Sequence, residues 1–311
     1  CVEKVELLYT LLATENPLKN GDKAVWMGAS KFTDSMTLTE VLENADSALM
    51  ASTKRSEGWQ FASELTHIHS NTAWRERLND ILLKQSADIL IQPIMDTSKG
   101  SPAYFEAFAR FKDKETGTVI PMSQLIPASE RLNLIPEVDK LVISLVMKKL
   151  NEAKTDIAIN IASASIANDE FRVWLLQLLN QNTALCTKLV FEIEDAALTY
   201  HKDIAIAFCQ SLLNMRCRVT IEHFGDNFAS LSGLRAIQPQ FVKISGKLTK
   251  DIQSEADNQL FISSLLSIAR SLNIQVIAEL VESEAESTAL AELNVGYQQG
   301  YHFAKPTLWQ V

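Results

Sequence analysis

The chain has 311 residues, of which 47% are apolar and 22% charged, and its formal net charge is −9. That length holds one barrel-sized domain plus something smaller, and the acidic balance argues against general nucleic-acid affinity and against direct DNA binding. No apolar run approaches the ~20 residues of a membrane span, and no signal-peptide pattern is present. Cys1, Cys186, Cys209 and Cys217 show no C-x-x-C spacing and read as reduced cytosolic thiols. The chain opens on a helical pattern at Cys1 rather than on Met, so it reads as a fragment of a longer protein.

Val2, Val5, Leu8, Leu11 and Leu12 have helical spacing over residues 2 to 14. Asn16 to Asp22 reads as a turn and Ala24 to Ala29 as a strand. Thr37 is placed to N-cap a helix, with Glu40 completing a capping box; Leu38, Val41, Leu42, Ala45 and Leu49 form its apolar face. Lys54 to Gly58 is a charged loop. These elements are too few for an independent core. Residues 1–62 are therefore expected to belong to a domain whose first part lies upstream, followed by a linker over 63–71 that carries His67 and His69 in solvent.

Beyond the linker, Trp74, Leu78, Ile81 and Leu82 predict a helix, Ile89 to Pro93 a strand, and Ala103 to Phe111 a second strand carrying Glu106 and Arg110. Helices follow at about 136–152, 170–180, 202–215, 256–271 and 284–293. Between them lie short apolar runs, each closed by a polar residue: Asn160, Glu192, Glu222, Lys243 and Glu279. The last strand is expected near Gly296 to Phe303. Short apolar runs separated by helices read as parallel strands buried on both faces. The expected fold is α/β, a TIM-like (β/α)₈ barrel over residues 72–311, and in such a barrel the C-terminal strand ends converge on one rim.

The rim would thus gather Glu106, Asn160, Glu192, Glu222, Lys243 and Glu279 around one pocket. Oxygen ligands of this kind suit Mg²⁺, Mn²⁺ or Ca²⁺, and such rings serve two-metal phosphodiester hydrolysis. Lys243 could act as a point charge near a phosphate or a metal-bound water. Arg110 lies four residues past Glu106 on the same strand face and could hold a phosphate bidentately. Any one of these taken alone reads equally as a paired surface charge. His223, beside Gly225, reads as a softer metal ligand or as a hydrogen-bonded turn histidine. Gln299 reads as a donor to a base edge or as a turn residue, and Phe303 with Pro306 as a purine wall or as core. Glu194 has period-2 spacing from Glu192 and points the same way.

Residues 72 to 311 resemble the EAL domain, the cyclic di-GMP phosphodiesterase barrel. Glu106-Ala107-Phe108-Ala109-Arg110 stands where the family has E-A-L-x-R, and Gln92-Pro93 matches its Q-P-I strand. Ile126-Pro127-Ala128-Ser129-Glu130 resembles I-P-x-A-E, Asn160 to Ser163 resembles N-x-S, and Glu192 falls on E-x-T-E. Lys243-Ile244 falls on K-I-D, and Ala278-Glu279 with Val281-Glu282 on A-E-G-V-E. Gln299-Gly300-Tyr301 and Phe303-Ala304-Lys305-Pro306 match Q-G-Y-x-F-A-K-P. Residues 1–62 resemble the C-terminal part of a GGDEF domain, with Ala45-Asp46-Ser47-Ala48-Leu49 like its A-D-x-A-L segment; Met50 replaces the following Tyr. The loop that would bind GTP lies upstream, so no diguanylate cyclase activity is expected.

The chain departs from the family at the metal site. Where the family has D-D-F-G-T-G-Y-S-S, residues 222–230 read Glu-His-Phe-Gly-Asp-Asn-Phe-Ala-Ser. Both metal-binding aspartates are changed, to Glu222 and His223; the K-I-D aspartate is Ser245 and the A-E-G-V-E glycine is Leu280. One extra methylene moves a carboxylate by ~1 Å, enough to cost orders of magnitude in rate. The resemblance therefore implies that two-metal hydrolysis is lost or nearly so. Its implied pocket survives in Gln92, Glu106, Phe108, Arg110, Asn160, Glu279, Gln299, Phe303 and Pro306.

The expected function is a catalytically inactive cyclic di-GMP receptor resembling the LapD type, with the GGDEF part as regulatory element and a protein partner or self-dimer. The alternatives are a residual phosphodiesterase and a CsrD-type interaction scaffold that binds no nucleotide. No cofactor is required by the first reading; Mg²⁺ or Mn²⁺ enters only with residual hydrolysis, and Glu106, Asn160, Glu192 and Glu222 would then hold it. The expected location is the cytoplasmic portion of an inner-membrane protein.

Overall fold

The computed structural model describes residues 2–15, 26–33, 36–52, 59–61, 71–85, 87–114, 116–224 and 231–310. The chain divides into two compact units, Cys1–Asn79 and Asp80–Val311.

The first unit contains α1 (Val2–Glu15), β1 (Met27–Ala29), α2 (Leu38–Ser52) and β2 (Trp59–Phe61). β1 and β2 pair in parallel, Met27 opposite Trp59, with α2 as the crossover between them. A parallel pair needs such a crossover, because a tight turn can only return a chain antiparallel. Gly28 lets α2 lie directly on β1: a Cβ there would stand 2.2 Å from the Ala45 carbonyl oxygen and 2.2 Å from the Leu49 nitrogen. Ala48 and Phe61 are buried. α2 begins at Leu38, directly after Thr37, and Val41 N donates to Thr37 O at 3.2 Å. The turn at 16–22, the loop at 54–58 and the linker histidines His67 and His69 lie outside the described residues.

The division falls within α3 (Asn71–Lys84). The second unit continues with β3 (Asp88–Asp96), β4 (Ser101–Arg110), α4 (Met122–Arg131), α5 (Ile135–Leu150), β5 (Ile157–Ile161), α6 (Ser163–Ala167), α7 (Asp169–Gln181), α8 (Thr183–Cys186) and β6 (Leu189–Glu194). It goes on with α9 (Asp195–Tyr200), α10 (Lys202–Asn214), β7 (Arg218–Phe224), α11 (Leu231–Ile237), β8 (Phe241–Ile244), α12 (Gly246–Thr249) and α13 (Ala256–Ser271). β9 (Gln275–Ala278), α14 (Glu284–Glu292), β10 (Tyr297–Gln298) and β11 (Thr307–Leu308) complete it.

Strands β4 to β10 pair in parallel in chain order, and β10 returns to β3, closing an eight-stranded barrel. The all-parallel expectation fails at one strand. β3 is antiparallel to both β4 and β10, because only Thr97 to Gly100 joins it to β4. That link is too short for a crossover. Asp96 holds the turn: its Oδ1 accepts from Ser98 N at 3.1 Å and Ser98 Oγ at 2.6 Å, while Oδ2 meets Lys99 Nζ at 2.8 Å. Gly100 supplies the left-handed backbone at φ +63°. The last strand is shorter than expected, ending at Gln298, and β11 pairs on the outer edge of β3.

Inside the barrel, Ile94, Tyr104, Ala158, Val190, Phe241 and Ile277 form a buried apolar layer, with Tyr297 packed against it. Tyr104 and Phe241 have ring centroids 5.3 Å apart, and Phe241 and Tyr297 meet edge to face at 5.4 Å. This plug closes one end of the barrel and supports the layer above it.

Candidate functional site

Side chains two apart on a strand share a face. Stepping two residues on from the apolar layer gives Glu106 from Tyr104, Asn160 from Ala158, Glu192 from Val190, Lys243 from Phe241 and Glu279 from Ile277. The barrel thus changes from a hydrocarbon plug to a charged floor within one strand period. The registers Asn160 to Glu192 and Gln92 to Glu106 bring neighbouring strands level.

Lys243 stands at the centre of this floor. Its Nζ lies 2.7 Å from Glu106 Oε2, 2.6 Å from Glu192 Oε2 and 3.0 Å from Glu222 Oε1, and the residue is 1% exposed. Asn160 Nδ2 donates to Glu106 Oε1 at 2.7 Å, and Gln299 Nε2 donates to Glu106 Oε2 at 2.9 Å. Burial alone would raise the Glu106 carboxyl; Lys243, Gln299 and Asn160 outweigh it and hold Glu106 below the usual range. Glu192 goes the other way, pushed well up by burial and then by the charge of Glu106. Glu222 is raised by burial and by Glu106 and Glu279. Burial would lower Lys243, but the three carboxylates outweigh it and hold the ammonium well above its usual range.

Glu279 follows β9 on a segment tied down by α14. Ser283 and Glu286 form a capping box at that helix, and Glu286 also accepts from Glu282 N at 2.8 Å and Asp251 N at 3.0 Å. Glu279 Oε1 accepts from Gly246 N at 3.1 Å and faces His223 Nδ1 at 3.5 Å. The hydrogen bond to Glu279 raises the His223 imidazole to about 9, against a desolvation that would lower it. His223 is therefore a cation at neutral pH. Ser245 is buried at the start of α12 and makes no side-chain cap bond there.

Above the floor opens a cavity of about 330 Å³ lined by Gln92, Glu106, Phe108, Arg110, Glu279 and Gln299 among others. Gln92 Nε2 donates to Ala304 O at 2.9 Å, and Gln299 Nε2 lies 3.4 Å from Gln92 Oε1. The Arg110 guanidinium sits 5.8 Å from the centre of the Phe108 ring and donates to Ala109 O at 2.9 Å. A second cavity of about 550 Å³ shares Phe108, Arg110 and Glu222 with the first and is lined further by Asn160, Glu194, Pro121 and Asp139. Asp139 accepts from Ala162 N at 3.0 Å, and burial raises its carboxyl to about 7.

Most of the expected pocket residues come together. Pro306 lines the first cavity, but Phe303 does not; it packs edge-on against His302 at 4.7 Å. Leu280, Glu282 and Tyr301 line that cavity without having been expected there. Leu280 was visible only as the loss of a family glycine. Its backbone is in the left-handed region at φ +55°, which a glycine adopts freely, and its side chain stands over the cavity at 62% exposure. Residues 225–230 lie outside the described residues.

The oxygens of Glu106, Glu192 and Glu222 lie within 4.8 Å of one another, a spacing that suits one divalent cation, and they form the one such cluster among the described residues. The Lys243 ammonium already sits against all three, so this donor set does not fit a divalent ion as it stands.

The EAL domain family matches residues 75–306. The chain belongs to that family. Cyclic di-GMP phosphodiesterase PdeF of Escherichia coli (strain K12) is 28% identical over 245 residues, covering 77% of this chain and 32% of that protein. Cyclic di-GMP phosphodiesterase PdeR of the same organism is 25% identical, covering 86% of this chain and 42% of that protein. The chain thus spans less than half the length of these curated relatives. The EAL domain of FimX from Pseudomonas aeruginosa, solved bound to c-di-GMP, is 25% identical with a TM-score of 0.70, covering 75% of this chain and 96% of that one. LapD from Vibrio cholerae, an S helix-GGDEF-EAL chain solved bound to c-di-GMP, shares the fold with a TM-score of 0.79 at 23% identity, covering 95% of this chain and 72% of that one. EAL phosphodiesterases use Mg²⁺ or Mn²⁺, so the lysine-filled floor of this EAL barrel bears directly on what it does. Among the described residues no helix is long and apolar enough to cross a membrane.

Proposed function

We propose that this EAL barrel is a receptor that binds cyclic di-GMP without hydrolysing it. The observation that carries the reading is the pairing of cationic His223 with Glu279, where the family pattern has a metal-binding aspartate. A positive His223 set against Glu279 repels the second cation that in-line hydrolysis requires. The walls that would hold a nucleotide remain. Gln92 and Gln299 supply amide groups for a base edge, Arg110 a fork for a phosphate, and Phe108 and Pro306 an apolar face. The two cavities share Phe108, Arg110 and Glu222, which suits an extended ligand with a base at each end.

Residues 1–62 serve in this reading as the end of a GGDEF domain, followed by a linker over 63–71 and the barrel over 72–311. The likeness to the GGDEF-EAL chain of LapD over 95% of this chain supports that division. The GGDEF part acts as the regulatory element, and the signal leaves through a protein partner or a second copy.

Calorimetric titration of the chain with cyclic di-GMP, with and without Mn²⁺, tests the reading, with chromatography of the same samples. Saturable heat with no linear product is expected. Absence of heat at micromolar nucleotide would overturn it. The second reading, a residual phosphodiesterase, is favoured by the spacing of Glu106, Glu192 and Glu222. It predicts linear product with Mn²⁺ that Glu106→Ala abolishes.

A further inference from the structure

We propose that Lys243 is a tethered cation: its ammonium takes the place of a divalent metal in the barrel and keeps one out.

Three observations on this chain carry it. The ammonium has three N–H donors, and Glu106, Glu192 and Glu222 supply three acceptors at 2.7, 2.6 and 3.0 Å. A divalent ion bonding those same three oxygens at ~2.0–2.6 Å would stand in the volume that Nζ occupies. Nor can the ammonium step aside. Lys243 is 1% exposed, the apolar layer of Tyr104, Val190 and Phe241 lies one strand step below it, and Asn160 and Gln299 are already bonded to Glu106 beside it. Displacing it would leave an unpaired buried charge, which is strongly unfavourable.

The third carboxylate is what distinguishes this chain. Glu222 carries one methylene more than the aspartate of the family pattern, and its added reach brings Oε1 to 3.0 Å from Nζ. A shorter side chain at that position would leave the ammonium with two partners and an oxygen free for a metal. Lengthening one ligand therefore does two things: it completes the lysine's coordination and ties up one of the oxygens a metal would use.

The inference does not depend on nucleotide binding, so its failure and that of the receptor reading are separate results. The test is titration of the chain with Mn²⁺ alone, read by the electron paramagnetic resonance signal of free and bound ion, for wild type, Lys243→Met and Glu106→Gln. Wild type is expected to show no site that Glu106→Gln removes. Lys243→Met is expected to gain one site, at least about tenfold tighter than any wild-type binding. A wild-type site lost in Glu106→Gln overturns the proposal, and so does a folded Lys243→Met that gains nothing. Should circular dichroism show Lys243→Met unfolded, the wild-type and Glu106→Gln titrations decide alone: a Glu106-dependent site overturns the proposal, and its absence supports it.

Discussion

His223 Nδ1 faces Glu279 Oε1 at 3.5 Å, on a backbone turned into the left-handed region at φ +54°. The carboxylate raises the imidazole from 6.5 to about 9. A group whose folded pKa exceeds its unfolded value adds stability that is fully present below the unfolded pKa and is lost as pH rises through the folded one. The His223 imidazole should therefore titrate near pH 9 by NMR, and Glu279→Gln should bring it down toward its ordinary value. The stability difference between wild type and His223→Gln should shrink between pH 6.5 and 9. His223 is half exposed, so the pair contributes no more than about 1 kcal/mol at neutral pH. An imidazole that titrates near 6.5 in the folded protein would disprove the ion pair.

Leu280 holds a left-handed backbone that costs a branched side chain ~1–2 kcal/mol. It gains contact with Gly246, where an added Cβ would stand 2.4 Å from Leu280 Cδ1. Leu280→Ala keeps the strain and loses the contact, whereas Leu280→Gly loses both. The glycine variant should be the more stable of the two by about 1 kcal/mol in denaturant unfolding. Equal stability, or a more stable alanine variant, would show that the backbone at 280 is not strained.

The strands that carry Asn160, Glu192, Glu222 and Lys243 were legible because a strand buried on both faces is a continuous apolar run, and a polar residue that interrupts it is conspicuous. The direction of β3 was not legible. Val-, Ile- and Leu-rich runs look alike either way, and the only cue was the brevity of the segment from Thr97 to Gly100. β10 and β11, two residues each, are shorter than any periodicity can register. Arg110 was placed correctly on the face of Glu106, since strand alternation is local. The partners of Lys243 were not legible, because a residue that reads as a point charge near a phosphate or a metal-bound water is enclosed by carboxylates from three other strands. Such long-range meetings depend on the closure of the barrel. The exchange of Phe303 for Tyr301 on the cavity wall likewise depends on a turn after Gln298 that replaces the expected strand.

Arg110 is half-buried and spends one N–H on Ala109 O, which leaves most of its fork open to the two cavities it lines. On the receptor reading, Arg110→Ala should weaken cyclic di-GMP binding by roughly 10–100-fold, the worth of a charge-assisted hydrogen bond. Its thermal midpoint without nucleotide should change little, since Arg110 has no carboxylate partner among the salt bridges of the described residues. Calorimetry on wild type and variant separates the two effects. Unchanged affinity would remove Arg110 from the ligand site.

Asp96 supports the β3–β4 turn through Ser98 N, Ser98 Oγ, Lys99 N and Lys99 Nζ. The Lys99 ammonium, then the Ser98 hydroxyl, hold its carboxyl down at about 2. A depressed acid adds stability that is present above its unfolded pKa and is lost as pH falls through its folded one. Asp96→Asn should cost about 1–2 kcal/mol at pH 7, the worth of losing charge-assisted hydrogen bonds at a turn whose Lys99 is exposed. That cost should fade between the ordinary aspartate value of 3.8 and about 2, as the wild-type carboxyl itself takes up a proton. The same turn reverses β3 and so sets Gln92 level with Glu106. A variant that keeps the barrel but loosens this turn should therefore also lower cyclic di-GMP affinity, read by the calorimetric titration, if the Gln92 wall belongs to the ligand site. Pocket affinity that survives the loss of turn stability would separate the β3 edge from recognition.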